Sequence, residues 1–166
     1  METNYPWDGK VKIVVDPQTK KQKFKLFVRI PDWMYNQLNT DGLYRITKAG
    51  NKPLTVSYKI NGKLLSGTYE NGYLVINREW MKGDVVELDL PMEVKLIEAK
   101  AELIQNNNRI AIQRGPIVYC VEGADNNNKA WNIVLPVDTK FETIDYKIMD
   151  EPVSYTHLTL PTNREV

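Results

Sequence analysis

The segment Phe24–Ile30 alternates. Phe24, Leu26, Val28 and Ile30 share one face, and Lys25, Phe27 and Arg29 share the other. A period of two is that of a strand with one buried face; a helix would repeat its apolar stripe every three to four residues. Pro31 then removes a backbone donor, so the chain leaves the sheet at Pro31–Met34. Val11–Val15, ended by Asp16-Pro17, reads as a shorter strand. With the charged connection between them, it and Phe24–Ile30 are expected to form a hairpin.

The same grammar recurs along the chain. Asn61-Gly62 and Asn71-Gly72 are dipeptides suited to tight hairpin turns, because both residues accept positive φ. Tyr73–Ile76 is aromatic and β-branched. Gly83-Asp84 marks a turn, after which Val85, Glu87 and Asp89 stand opposite Val86, Leu88 and Leu90 until Pro91. Glu93–Leu103 fits either a strand or a short helix. Arg109–Gly123 reads as two apolar runs broken by Gly115-Pro116, and Trp131–Pro136 and Phe141–Met149 read as two more strands. The asparagine-rich runs Gln105–Arg109 and Ala124–Lys129 suit exposed loops, since asparagine accepts left-handed geometry. With no long helical stripe, the expectation is an all-β chain folded as an antiparallel β-sandwich.

Composition narrows the function classes. A net charge of +1 gives no electrostatic footprint for nucleic acid or an anionic membrane. No apolar run approaches the ~20 residues that span a bilayer, and the first ten residues are too polar for a signal peptide. One cysteine excludes an internal disulfide and a multi-cysteine zinc site, and leaves the compartment unread.

Several residues invite a catalytic reading. Cys120 lacks a histidine partner that would hold it as thiolate, so it reads as a small apolar side chain on the strand face of Val118 and Glu122. The carboxylate pairs are Glu87 with Asp89, Asp145 with Asp150, and Glu98 with Glu102. A glycosidase needs two carboxyls about 5 to 9 Å apart across its substrate, and neighbourhood in sequence does not provide that. Glu87 and Asp89 read as solvated groups on a polar strand face. Trp7, Trp33, Trp80 and Trp131 sit near strand ends, where packing is the expected role; sugar stacking would require them to line one exposed face.

The stretches Asn4–Ile13, Phe24–Trp33, Ile60–Lys63, Asn71–Val94 and Arg109–Gly123 occur in an order and spacing that resembles the C-terminal β region of glycoside hydrolase family 127, the β-L-arabinofuranosidase-like proteins. "AIQRGPIVYCVE" (Ala111–Glu122) is the most specific piece, and the similarity runs from Thr3 to about Asp150. It implies an (α/α)6 barrel followed by β-sandwich domains. It also implies a zinc-bound cysteine nucleophile and a glutamate acid/base, both within the barrel. Neither maps onto a position here, and Cys120 lies in the β region. The resemblance therefore implies a truncated sandwich over residues 1–98, the start of a second β domain over 99–151, and no catalytic, cofactor-binding or metal-ligating residue of its own. Zinc is expected in the absent barrel, and that barrel is the expected intramolecular partner; the parent is a candidate homodimer, with no nucleic acid or membrane partner. The alternatives are a free-standing carbohydrate-binding module or an adhesion-type sandwich.

Residues 152–166 depart from the family. Val153–Thr162 reads as the translation, in one frame, of a transposase adapter used in DNA sequencing. An index then accounts for Asn163–Glu165, and a terminator follows Val166. On this reading the last native residue is near Glu151, and His157, the sole histidine, carries no functional weight.

Overall fold

The computed structural model describes residues 1–35, 38, 41–48, 56–136, 139–147 and 154–159. Among them there is no α-helix, only strands joined by turns and 3-10 turns. The strands are β1 (Glu2–Thr3), β2 (Lys10–Val15), β3 (Lys21–Arg29), β4 (Tyr44–Lys48), β5 (Ser57–Ile60), β6 (Lys63–Leu65) and β7 (Thr68–Glu70). They continue as β8 (Tyr73–Met81), β9 (Asp84–Asp89), β10 (Val94–Ala99), β11 (Ile110–Arg114), β12 (Ile117–Tyr119), β13 (Glu142–Lys147) and β14 (Ser154–Thr159). The chain divides into two compact units, Met1–Ile117 and Val118–Val166.

The first unit contains an antiparallel β-sandwich. One layer runs β1-β2-β9-β5-β6 and the other β3-β8-β7. The core lies between them. Val15 and Ile60, with Val86 and Leu88 of β9, come from the first layer, and Leu74, Ile76 and Trp80 of β8 from the second; Phe24, Leu26 and Val28 pack against this cluster. Period two therefore identified the inward faces correctly. In β9 the buried positions are Asp84, Val86 and Leu88, with Glu87 and Asp89 exposed. A third sheet, ordered β12-β11-β10-β4, contains the segment that read as strand or helix; β10 is a strand flanked by β4 and β11, with Lys95 and Leu96 buried.

The hairpin expected from Val11–Val15 and Phe24–Ile30 does not form. β2 pairs with β9 from Lys10↔Asp89 to Val15↔Asp84, and β3 pairs with β8 from Lys21↔Met81 to Arg29↔Tyr73. The two strands lie in opposite layers, so the connection after Val15 crosses the sandwich. Both apolar rows need the same core, and facing layers allow each to enter it from its own side. The β8–β9 connection crosses likewise at Lys82-Gly83, where Gly83 has φ 86° and its N–H donates to the Val15 carbonyl at 2.9 Å.

The two Asn-Gly pairs behave as read. Asn61 and Gly62 have φ 50° and 78°, and Asn71 and Gly72 have φ 49° and 79°, joining β5 to β6 and β7 to β8. Gly9 serves a different need. A Cβ there would stand 1.8 Å from the Leu90 carbonyl oxygen, at the point where the Leu90 N–H donates to the Gly9 carbonyl.

In the second unit β13 and β14 pair antiparallel, from Glu142↔Thr159 to Lys147↔Ser154. The strand expected over Trp131–Pro136 is absent. Ala130–Asn132 is a 3-10 turn, and residues 133–136 run without strand pairing. Val134 is 83% exposed, so the apolar run has no half-buried surface to lie against, which is what strand preference reports. Asn108, Asn127 and Asn128 adopt positive φ in the asparagine-rich loops.

Candidate functional site

The residues that suggested chemistry are dispersed. Glu87 and Asp89 project from the outer face of β9 between lysines: Glu87 stands opposite Lys12 and Lys59, and Asp89 opposite Lys10 and Ser57. Glu2 extends the row through an ion pair with Lys12 at 3.1 Å. Opposite charges across antiparallel strands stabilise the sheet modestly, and this row has that character. It borders an open, polar hollow of ≈ 480 Å³. Glu98 is taken up by Arg45 at 3.0 Å, while Glu102 lies in the turn beyond β10. Asp145 stands opposite Thr156, and Asp150 lies outside the described residues.

Cys120 follows β12 and is exposed, contrary to the buried strand-face position expected of it. The strand ends at Tyr119, so the alternation carried by Val118 and Glu122 has no sheet to continue in. Among the described residues no three histidine, cysteine, aspartate or glutamate side chains converge as a metal site. The zinc chemistry implied by the resemblance thus has no donor set among them.

The tryptophans scatter. Trp80 is fully buried, stacked on Phe24 with ring centroids 5.8 Å apart, and its indole N–H donates to the Phe24 carbonyl at 3.1 Å. Trp33 is half-buried against the core and donates to the Tyr5 hydroxyl at 3.2 Å. Trp7 is half-buried, with its carbonyl held by Arg114 at 3.0 Å. Trp131, in the second unit, is 83% exposed. The three in the first unit build no exposed aromatic row.

Two buried charges escaped the sequence reading. Asp84 accepts from the Met81 N–H at 3.0 Å and from the Asn61 side chain at 2.8 Å, with Arg78 at 3.8 Å. The Met81 N–H, then the Asn61 amide, hold its carboxyl below the usual aspartate value; burial opposes them and Arg78 assists. Lys95 donates to the Trp33 and Tyr35 carbonyls from beneath the turn that follows β3. Burial pushes its ammonium down, and Glu93 opposes that. Both groups satisfy backbone or side-chain partners inside the fold, which is the arrangement of structural pins.

The first unit also carries an open cleft of ≈ 560 Å³ at the side of the sandwich. It exists because β7 pairs only with Tyr73–Val75, while β3 pairs with β8 over its whole length. Beyond Val75 one edge of β8 is left without a strand, and the β5–β6 hairpin stands across from it in the other layer. Lys25, Asn77, Arg78, Thr68 and Glu70 bring polar groups to this cleft, over apolar surface from Tyr58, Leu65 and Val75.

Comparison with known proteins gives a consistent picture. Residues 1–92 match the family model described as "Beta-L-arabinofuranosidase, GH127 middle domain", and residues 94–158 match that of the "Glycoside hydrolase family 127 C-terminal domain". A non-reducing end β-L-arabinofuranosidase of Bifidobacterium longum subsp. longum is 33% identical over 136 residues, which is 78% of this chain and 17% of that protein. Among solved structures, a β-arabinofuranosidase of the same family superposes with TM-score 0.78 at 32% identity, over 87% of this chain and 22% of its own. A β-L-arabinofuranosidase from Geobacillus stearothermophilus T6 does so with TM-score 0.71 at 30% identity, over 96% of this chain and 26% of its own. The chain thus spans about a fifth of the length of the relatives it matches.

Proposed function

Because the chain belongs to glycoside hydrolase family 127, we propose that it is the non-catalytic β-sandwich portion of an enzyme that hydrolyses arabinofuranosides or related plant-derived sugars. Its task in that enzyme is to support an (α/α)6 catalytic barrel, by covering an apolar face of it. The observation that carries this reading is which parts of the family are matched: the middle and C-terminal domains account for residues 1–92 and 94–158. The placement of Glu87 and Asp89 among lysines on a strand face, and of Glu98 against Arg45, supports it. In this reading residues 1–98 serve as the sandwich and 99–151 as the beginning of a second β domain, with residues 152–166 adapter-derived although the family match runs on to residue 158; zinc and the catalytic residues belong to the barrel, and the complete enzyme is a candidate homodimer.

The test is direct. The purified chain is assayed on aryl β-L-arabinofuranosides, with and without added zinc. No turnover above buffer is expected. Turnover that disappears in Cys120→Ala would assign the chemistry to this chain and overturn the supporting role.

A further inference from the structure

We propose that Asn71-Gly72 is a site of spontaneous covalent modification, deamidation through a succinimide, and that Asn61-Gly62, the same dipeptide, is protected from it by Asp84. The inference goes beyond the supporting role and does not depend on it. The reaction needs only water. The Gly72 amide nitrogen attacks Cγ of Asn71, and the new N–Cγ bond closes the succinimide ring. The Cγ–Nδ2 bond breaks, and ammonia leaves with the proton given up by the amide. Water then opens the ring at either carbonyl, leaving aspartate or isoaspartate. A following glycine favours the attack, because no side chain shields its nitrogen.

The two pairs form a comparison within one molecule. Their φ values nearly coincide, 49° and 79° at Asn71-Gly72 against 50° and 78° at Asn61-Gly62, and both asparagines are exposed. Their side chains differ. The Asn61 Nδ2 donates to Asp84 at 2.8 Å, and its Oδ1 accepts from the Val85 N–H at 2.8 Å. Closing the ring would pull the amide from both partners, and the carboxylate formed would face that of Asp84 in the core. The Asn71 side chain has no hydrogen-bond partner among the described residues, so nothing holds it away from Gly72. The turn also requires its glycine. At φ 79° another residue is strained, and a Cβ would stand 1.8 Å from a guanidinium nitrogen of Arg29. The Gly72 carbonyl receives the Ile30 N–H and the Arg29 guanidinium, each at 2.9 Å. An aspartate at position 71 keeps this backbone. An isoaspartate lengthens it by a methylene and shifts the carbonyl from both donors.

The full chain, held folded in mildly alkaline buffer, tests this by peptide mapping over time, with isoaspartyl methyltransferase labelling to quantify isoaspartate. A parallel sample in urea needs no variant and gives the reactivity of each pair without the fold. In urea the two asparagines should react at similar rates. In the folded chain Asn71 should convert, and Asn61 should lag it by about tenfold or more, as expected where two hydrogen bonds must break, one of them to a carboxylate. Conversion of Asn71 subtracts one charge from the formal net charge of +1, leaving zero. Isoelectric focusing should show that acidic band, and Asn71→Gln should remove it. In Asp84→Ala, which loses the acceptor, the Asn61 rate should rise toward that of Asn71. Equal rates at the two pairs in the folded chain would overturn the proposal, as would a ratio of rates unchanged by urea. So would an Asn71 that stays intact in the folded chain while converting in urea, or an Asn61 rate unaltered in Asp84→Ala.

Discussion

Asp84 is a carboxylate in the core, 4% exposed, where three parts of the first layer and its corner meet. It receives the Met81 N–H at the end of β8 and the Asn61 amide of the β5–β6 turn, while Asn61 returns to the Val85 N–H at 2.8 Å. Replacing Asp84 by Asn keeps one acceptor, removes the charge and leaves a donor facing a donor. The expected loss at pH 7 is about 1–3 kcal/mol, read from urea midpoints. The pH dependence follows from the lowered folded value. The contribution is fully present above the ordinary aspartate value of 3.8 and is lost as pH falls through the lower folded value. The gap between the wild type and Asp84→Asn should therefore close in acid and be constant from pH 5 to 7; a gap unchanged at pH 2.5 would refute the assignment. Little of this was legible beforehand. Asp84 reads as a turn residue because its partner Asn61 lies 23 positions away. Lys95 reads as the polar half of an alternating strand, because nothing local reveals the Trp33 and Tyr35 carbonyls above it. Cys120 misled in the opposite direction, since its exposure depends on where β12 stops.

At the level of elements, local chemistry was sufficient where the partner strand is next in sequence. Asn61-Gly62 closes β5 on β6 with Ile60 opposite Lys63, and nothing lies within 4 Å of where a Gly62 side chain would begin. Gly62→Ala is thus a test of backbone geometry alone. At φ 78° it should lower stability by about 1–2 kcal/mol; a neutral result would mean that the turn relaxes to another type. The β2 and β3 strands show where local reading ends. Alternation assigns a face to each residue and says nothing about which strand lies alongside. That choice is made by rows from distant segments, β9 for β2 and β8 for β3. The cleft beside β8 was unreadable for the same reason: it is created by the shortness of β7. Trp131–Pro136 shows that β-branched composition without a surface to lie on does not make a strand.

For the whole molecule, the two compact units give the tail proposal a measurable consequence. β14 lies within residues 152–166 and meets β13 as a two-stranded pair, an arrangement of marginal stability when isolated. Truncation after Glu151 should change the unfolding free energy of the Met1–Ile117 unit by no more than about 0.5 kcal/mol, the range of surface changes. A loss of several kcal/mol in denaturant titrations would show that the tail completes a core. The register between β2 and β9 also has a consequence for biosynthesis. Lys10 pairs with Asp89, so the first long strand emerges from the ribosome well before its neighbour exists. At about 5–20 residues per second this interval is on the order of 4 to 16 s, during which Val11, Ile13 and Val15 have no sheet to enter. The sandwich therefore closes only after β9 has been translated.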